Sequence, residues 1–361
     1  MSDYELPPRA LKGRGAVSNR SGRFEADLRN AVDDGWGSAW DDDLPQLRTT
    51  LTVDTNRTII TRNTSPDVPF DRSINPYKGC EHGCIYCFAR PTHAYLGLSP
   101  GLDFETRLFY KPDAPELLDR ELRARHYRPA TLALGANTDP YQPVERNLKL
   151  TRRILEVLDA FHHPVGVVTK SALIARDIDI LTPMAAARRV QVCLSVTTLD
   201  RDLARRMEPR AATPERRLDT IRRLTAAGIP VTVLASPMIP GLNDWELERI
   251  LTAAAEAGAT GANYILLRLP LEIGALFTEW LHEHAADWAA RVLNLMRDTR
   301  GGRLYQTQFG RRMHGSGAVA DLLADRFRMA CRRLGLNERR WDLDAGQFRL
   351  PPRPGDQLAL L

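Results

Sequence analysis

From about Ser73 onward, apolar and polar positions alternate in a regular order. Short β-like runs occur at 131–136 (TLALGA), 165–169 (VGVVT), 190–196 (VQVCLSV), 231–235 (VTVLA) and 263–267 (NYILL). Between them, apolar residues recur at three- and four-residue spacing, as in Leu148, Ile154, Leu155, Leu158 and Phe161. The same period returns in Leu218, Ile221 and Leu224, then in Leu247, Ile250, Leu251 and Ala254. With SINPYKG at 73–79 as the first, six strands alternate with helices, which predicts parallel βα units.

The run 190–196 separates an open sheet from a barrel. Val190, Val192, Leu194 and Val196 share one face, and Gln191, Cys193, Ser195 and Thr197 share the other. A doubly wound sheet is covered on both faces and favours near-continuous apolar strands. One apolar and one polar face instead predicts a polar lumen. Leu132, Leu134 and Ala136 opposite Gly135 and Asn137 repeat the pattern. The fold class is therefore α/β, an incomplete (β/α)6 TIM-like barrel with an N-terminal extension and a helical C-terminal region.

Residues 1 to about 25 are polar and aperiodic, which predicts disorder. Residues 26–65 carry the acidic WDDD at 40–43 and the β-rich RTIITRN at 57–63, an ordered lead-in. From about Phe277 the pattern becomes helical, with Trp280, Trp288 and a dense arginine series. The division expected is 1–65 for a partly disordered N-terminal extension, 66–275 for the barrel and 276–361 for an Arg-rich, mainly helical region.

Composition adds exclusions. No run approaches the ~18 apolar residues of a membrane span, and MSDYELPPRALKGRG has no hydrophobic core. These features predict a cytoplasmic protein with no membrane partner. The net charge of +5 is mild, and almost all basic charge is arginine, a bias that genome composition also produces. The sequence leaves the oligomeric state open. Five cysteines in a long cytosolic chain do not read as a disulfide framework.

Three of those five lie in CEHGCIYC, residues 80–87, with C-x3-C-x2-C spacing. A structural zinc site takes four ligands, and His82 would complete a set with Cys80, Cys84 and Cys87, although it lies only two residues from both Cys80 and Cys84. A ferredoxin-type cluster also takes four cysteines. Three thiolates on a 4Fe–4S cluster leave one iron free to bind something else. This loop after the first barrel strand, with Tyr86 before its third cysteine, resembles the radical S-adenosylmethionine (SAM) superfamily. FDRSINPYKGCEHGCIYCFARPTHAYLG, GANTDPYQPVE, VTKS..IARDIDIL and SPMIPGLND resemble the spore photoproduct lyase-like branch, often labelled DNA repair photolyases. The likeness runs over roughly residues 10 to 350, and is nearest an uncharacterised bacterial family in that branch.

The resemblance implies a 4Fe–4S cluster on Cys80, Cys84 and Cys87 and SAM on its free iron. Reductive cleavage of SAM then gives a 5′-deoxyadenosyl radical that abstracts a substrate hydrogen. It also implies an electron donor of the flavodoxin or ferredoxin type. By position, Asn137 and Thr138 fall in the loop that meets the SAM amino group. Lys170 and Ser195 fall near its carboxylate, Tyr86, Ile239 and Gly241 near its adenine, and Thr197 is expected among the cofactor-binding residues. Each has a plainer reading. Asn137, Asp139 and Gly241 also suit turns, Lys170 a solvated surface, Ser195 a lumen filler, and His82 and His93 ordinary loop hydrogen bonding. Cys193 reads as a small buried residue or, more sharply, as a hydrogen donor.

The chain departs from the branch at two places. Spore photoproduct lyase needs a hydrogen-donating cysteine after strand two, where Asn137 stands, and a tyrosine after the third cluster cysteine, where Phe88 stands. Three functions remain: a radical SAM enzyme acting on nucleic acid, one acting on a protein, peptide or metabolite, or a non-catalytic metal- or cluster-bearing nucleic-acid-binding module. The ten arginines from Arg300 to Arg340 favour the first, with Arg328 and Arg332 expected on one helix face and Arg333 beside them.

Overall fold

The computed structural model describes residues 10–27, 29, 47–338 and 342–352. Among the described residues ten strands are formed: β1 (Thr50–Val53), β2 (Ile60–Arg62), β3 (Arg72–Ile74), β4 (Tyr77–Lys78), β5 (Arg107–Tyr110), β6 (Leu132–Leu134), β7 (Val165–Thr169), β8 (Val190–Ser195), β9 (Val231–Met238) and β10 (Gly261–Leu266). A seven-stranded sheet has the order β10-β9-β8-β7-β6-β3-β2, and a smaller sheet the order β1-β5-β4. From β3 to β10 every neighbouring pair is parallel, and β2 closes the edge antiparallel to β3.

The strand order follows the chain without reversing. A doubly wound sheet reverses at a switch point, whereas a sheet grown in one direction by right-handed crossovers curls towards a barrel. Six parallel strands leave the barrel incomplete, as the alternation in the sequence predicts.

Among the described residues eleven α-helices follow the pattern. α1 (Asp103–Thr106) precedes β5, and α2 (Ala114–Leu122) links β5 to β6. α3 (Glu145–Leu148) and α4 (Leu150–Ala160) connect β6 to β7, and α5 (Ile178–Ala186) connects β7 to β8. α6 (Arg201–Met207) and α7 (Pro214–Ala226) lead to β9, and α8 (Leu247–Glu256) leads to β10. α9 (Ile273–His284), α10 (Ala286–Asp298) and α11 (Ala318–Leu334) follow. The core lies between the outer strand face and the helices. There Val190, Val192, Leu194, Val231 and Val233 pack with Ile154, Leu155, Ile221, Leu224, Ile250 and Leu251. Each such side chain contributes about 1.5–3 kcal/mol when buried.

Three differences from the sequence reading have physical causes. SINPYKG is two elements, because Tyr77–Lys78 turns away to pair with Tyr110 and Phe109 of β5. The predicted N-terminal disorder fails over residues 14–17, which are buried; residues 1–9 and the WDDD stretch lie outside the described residues. The arginine series is not one surface. Arg300 is buried and donates to the carbonyls of Leu267 (2.8 Å), Arg311 (3.0 Å) and Arg312 (2.9 Å). Arg326 is bidentate to Glu248 (2.7 and 2.6 Å), and Arg312 pairs with Asp67. Arg328, Arg332 and Arg333 are exposed on α11, with Arg328 paired to Asp325. Among the described residues no helix is long and apolar enough to cross a membrane.

Candidate active site

The cysteine loop runs from β4 across the C-terminal ends of the barrel strands and is pinned from both sides. Cys80 N–H donates to Phe104 O (2.9 Å), Glu81 N–H to Gln142 Oε1 (2.8 Å) and Ile85 N–H to Met207 O (2.9 Å). Beneath it lies Arg90, fully buried, which donates to the carbonyls of Cys84 (2.8 Å), Gly83 (3.0 Å) and Gly101 (2.8 Å) and pairs with Glu105. Glu105 also accepts the amides of Gly15 (3.0 Å) and Ala16 (2.8 Å). The N-terminal segment thus crosses the loop so closely that a Cβ on Gly15 would lie 1.8 Å from Gly83 O. Gly83 itself has φ +68° and would place a Cβ 2.7 Å from Glu105 Oε2, so only glycine fits both positions.

Cys80 and Cys84 are buried, Cys87 is half-buried, and all three are free thiols. Burial pushes all three upward, Cys84 to about 12 even though Lys170 pulls it down. Bare thiolates are therefore disfavoured here, and a bound cation would reverse that balance. His82 is buried with Nδ1 3.3 Å from Asp139 Oδ2, turned to the carboxylate. Among the described residues no three His, Cys, Asp or Glu side chains are grouped so as to hold a single metal ion. Ligands of a multinuclear cluster attach to separate irons and need not converge in that way. The donor set suits a cluster and deprives a zinc site of its fourth ligand.

Asp139 joins three loops. It accepts from Thr169 Oγ1 (2.7 Å), Lys170 N–H (2.9 Å) and Tyr141 N–H (2.9 Å). Burial would raise its pKa, but the neighbouring His82 ring and the Lys170 and Thr169 donors hold it at about 2.

On the lumen side a second network forms around Glu208, which is buried and bonded to Tyr86 OH and Arg217. Tyr86 OH lies 3.2 Å from Thr197 Oγ1 and 3.4 Å from Lys170 Nζ, whose ammonium sits 5.3 Å above the Tyr86 ring. Lys170 Nζ is 3.9 Å from Glu208, and Cys84 Sγ is also 3.9 Å from it. Burial alone would neutralise Glu208, but Arg217 and then Lys170 lower its pKa and keep it charged. Burial likewise works against the Lys170 charge, and Cys84 and Glu208 outweigh it.

The structure brings Tyr86, Lys170 and Thr197 into one network, with Ile239 packed in the same apolar cluster as Cys84 and Tyr86. Ser195 is buried on the lumen face, and its carbonyl accepts from Arg217 (3.2 Å). Asn137 is half-buried and anchored by its backbone N–H to Asn75 Oδ1 (2.9 Å). Among the described residues neither the Ser195 hydroxyl nor the Asn137 side-chain amide has a partner. Thr138 spends its hydroxyl on Tyr77 O (2.8 Å). Gly241, at φ +80°, is set against α10, where a Cβ would meet Leu295 at 2.9 Å, so its crowded side faces a helix. The sequence reading missed Arg90, Glu105, Glu208 and Arg217; Glu105 and Glu208 reach partners 90 and 122 residues away, at Gly15 and Tyr86. It also missed Ser236, whose buried hydroxyl has no hydrogen-bond partner among the described residues. Strand alternation would have placed Ser236 on the lumen face of β9.

An incomplete parallel barrel that opens a three-thiol loop at the C-terminal ends of its strands is a scaffold for cofactor-dependent enzyme chemistry. A family model described as the radical SAM superfamily matches residues 74–254, half of the chain, and the chain belongs to that superfamily. Membership makes it an enzyme of the radical SAM type and implies SAM and a 4Fe–4S cluster. An uncharacterised protein of Mycobacterium tuberculosis is 38% identical over 232 residues, 64% of this chain and 68% of that protein. One of Methanocaldococcus jannaschii is 29% identical over 174 residues, 48% of this chain and 62% of that protein. Spore photoproduct lyase complexed with dinucleoside spore photoproduct matches with a TM-score of 0.57 at 16% identity, covering 79% of this chain and 80% of that one. At that identity the likeness shows the shared fold.

Proposed function

We propose that Cys80, Cys84 and Cys87 hold the 4Fe–4S cluster, that the adjoining lumen holds SAM, and that the substrate is a nucleic acid. The observation that carries the first two parts is the placing of the Tyr86–Lys170–Thr197–Glu208 network directly beside Cys84. When bound, the two groups supply a 5′-deoxyadenosyl radical for hydrogen abstraction. Lys170 offers a fixed positive charge to a carboxylate. The unpartnered Ser195 hydroxyl and Asn137 amide offer hydrogen bonds, and Tyr86 with Ile239 offers an apolar wall for an adenine. Glu208 holds Tyr86 and Lys170 in place, and burial keeps water from the reacting side.

Support for a nucleic acid comes from the fold likeness to a lyase bound to a dinucleoside photoproduct and from exposed Arg303, Arg311, Arg332 and Arg333. Dimer repair by the lyase's own relay is not proposed, because Asn137 and Phe88 carry no readily abstracted S–H or O–H hydrogen. Anaerobic reconstitution tests the first two parts. About four irons per chain and reductive SAM cleavage are expected, both lost in Cys80→Ala, Cys84→Ala and Cys87→Ala. Stoichiometric zinc in place of iron would refute the cluster. A salt titration of binding to single- and double-stranded DNA and to RNA tests the substrate, since phosphate contacts give a steep salt slope. No binding to any of these at low salt would shift the substrate to a protein, peptide or metabolite.

A further inference from the structure

Phe88 follows the third thiol, at a position where this chain departs from the branch it resembles, and its ring is exposed. Over that ring stands Arg268, just past the C-terminal end of β10, with its guanidinium carbon 5.3 Å from the centroid. β10 is an edge strand of the sheet, and the strap at 301–315 runs over this end of it. Leu266 N–H donates to Met313 O (2.9 Å), and Gly310 N–H donates to Asp67 Oδ1 (2.7 Å). The strap brings only weak partners to Arg268. Met313 Sδ lies 3.6 Å from its Nη1 and Tyr305 OH 3.5 Å from its Nη2. Its Nε is out of solvent and has no hydrogen-bond partner among the described residues. The stretches that form this mouth, 65–71, 84–90, 264–273 and 296–317, are all described.

A guanidinium offers its Nε–H and one Nη2–H side by side, a fork that fits two oxygens of one carboxylate or phosphate. Elsewhere in this protein that fork is filled. Arg326 grips Glu248 at 2.7 and 2.6 Å, and Arg176 grips Asp177 at 2.8 and 2.9 Å, each through Nε and Nη2. On Arg268 the same edge holds only the 3.5 Å contact to Tyr305. The neighbouring carboxylates are engaged elsewhere, Asp67 by Gly310 N–H and Arg312, and Glu272 by Arg23 (3.1 Å). Arg300 adds a second buried cation, and the like charge of Arg268 joins burial in lowering its pKa to about 10. A buried donor without an acceptor destabilises a fold, so this edge contributes nothing to folding as it stands.

We propose that Arg268 is a specificity-determining residue that grips an oxyanion of the substrate, a phosphate or a carboxylate, through its Nε and Nη2 edge. The proposal rests on the reading of the thiol loop as the reacting centre. An anion held there lies over the residue that follows Cys87, which brings the adjoining atoms of the ligand to the mouth beside the thiols. Lys170 stacks on Tyr86 and Arg268 on Phe88, so the loop presents two cations to two different anions, one on SAM and one on the substrate. Tyr305 is the neighbour that gives way. It rides on the strap just after Gly301 and Gly302, at φ +63° and +83° with open space around both, which leaves the strap room to shift. A ligand without the anion leaves the fork empty and is discriminated against for that reason.

The test uses the full-length chain, with and without anaerobic reconstitution, and two pairs of fluorescent probes read by anisotropy. One pair is a single-stranded oligothymidylate and its methylphosphonate analogue, which lacks the backbone charge. The other is a short peptide with a free C-terminal carboxylate and the same peptide as its carboxamide. Wild type is expected to prefer the charged member of one pair, which identifies the oxyanion as phosphate or carboxylate. Arg268→Gln should weaken that member about tenfold to a hundredfold and leave its uncharged analogue unchanged. Arg268→Lys should restore only part, because an ammonium cannot make two parallel bonds to one anion. Arg222→Gln, which removes an exposed charge on α7, should bind like wild type. An arginine that only supports the fold would instead lose charged and uncharged probes alike. That result, unchanged binding in Arg268→Gln, an equal loss in Arg222→Gln, or no preference by wild type for a charged member would each overturn the oxyanion site. Absence of iron in reconstituted wild type would overturn the cluster reading alone, since the titrations without iron still report on Arg268.

Discussion

Arg90 and Glu105 form an ion pair with no solvent exposure on either side chain, directly under the cysteine loop. Arg90 fixes two loop carbonyls and Glu105 fixes two N-terminal amides, so the pair ties the loop to the segment that crosses it. Removing one partner leaves the other charge buried, which typically costs about 3–5 kcal/mol. Arg90→Met should therefore lower the unfolding free energy measured in urea by that order and reduce iron bound per chain. Arg90→Met/Glu105→Met should recover part of the stability. Wild-type stability in the single variant would contradict this role.

Lys170 is expected to act on SAM and not on the cluster. A charge-assisted contact is worth about 1.5–3 kcal/mol, so Lys170→Ala should weaken SAM binding roughly tenfold to a hundredfold at unchanged iron content. Equilibrium binding to the reconstituted protein checks this. Unchanged affinity would leave Lys170 as a partner of Glu208 alone.

Cys193 lies on the lumen face of β8, with its backbone opposite Val168 and Thr232, and burial raises its thiol pKa to about 11. A neutral, inert thiol is expected. Cys193→Ala should retain the cluster and SAM cleavage, and iron analysis with cleavage assays decides it. Loss of product with a true substrate, at normal cleavage, would make it a hydrogen donor.

His163 supplies a pH-dependent part of the stability. Its Nδ1–H donates to Pro164 O (3.0 Å), so Nε2 accepts from Tyr127 OH (2.7 Å), and the ring is fully buried. Burial pushes its pKa down to about 4. The unfolded chain, with a histidine pKa of about 6.5, then binds more protons between those values. This contribution is complete above about pH 6.5 and is lost as pH falls through about 4, a change of about 3 kcal/mol. Urea midpoints compared at about pH 7 and about pH 4 should fall less in His163→Gln than in wild type. Equal falls would show that His163 is not responsible.

The strands were legible where alternation marks a strand with one face to the core and one to the lumen. Residues 190–196 gave both the element and its polar face, and the thiol spacing gave the loop. Glu208 and Arg217 were not legible, because a carboxylate before a proline and an arginine in an amphipathic helix look like ordinary surface residues. Their meaning comes from Tyr86, 122 residues before Glu208. Residues 14–17 were misread for the same reason. They have no periodicity, and their order is imposed by Glu105, 90 residues beyond Gly15. The arginine series read from the sequence as a dense basic region, but burial of Arg300 and pairing of Arg312 and Arg326 depend on tertiary neighbours that composition does not contain.

The bonds from Ile85 to Met207 and from Arg210 to His82 also set an order of events during synthesis. The thiols leave the ribosome early, yet the chain that clamps their loop is made more than a hundred residues later. Until then the three cysteines belong to an open, unclamped segment. On the proposed function, loading of a cluster on these thiols would thereby wait for near-completion of the barrel, and a stalled or truncated nascent chain would present open thiols in place of a finished site.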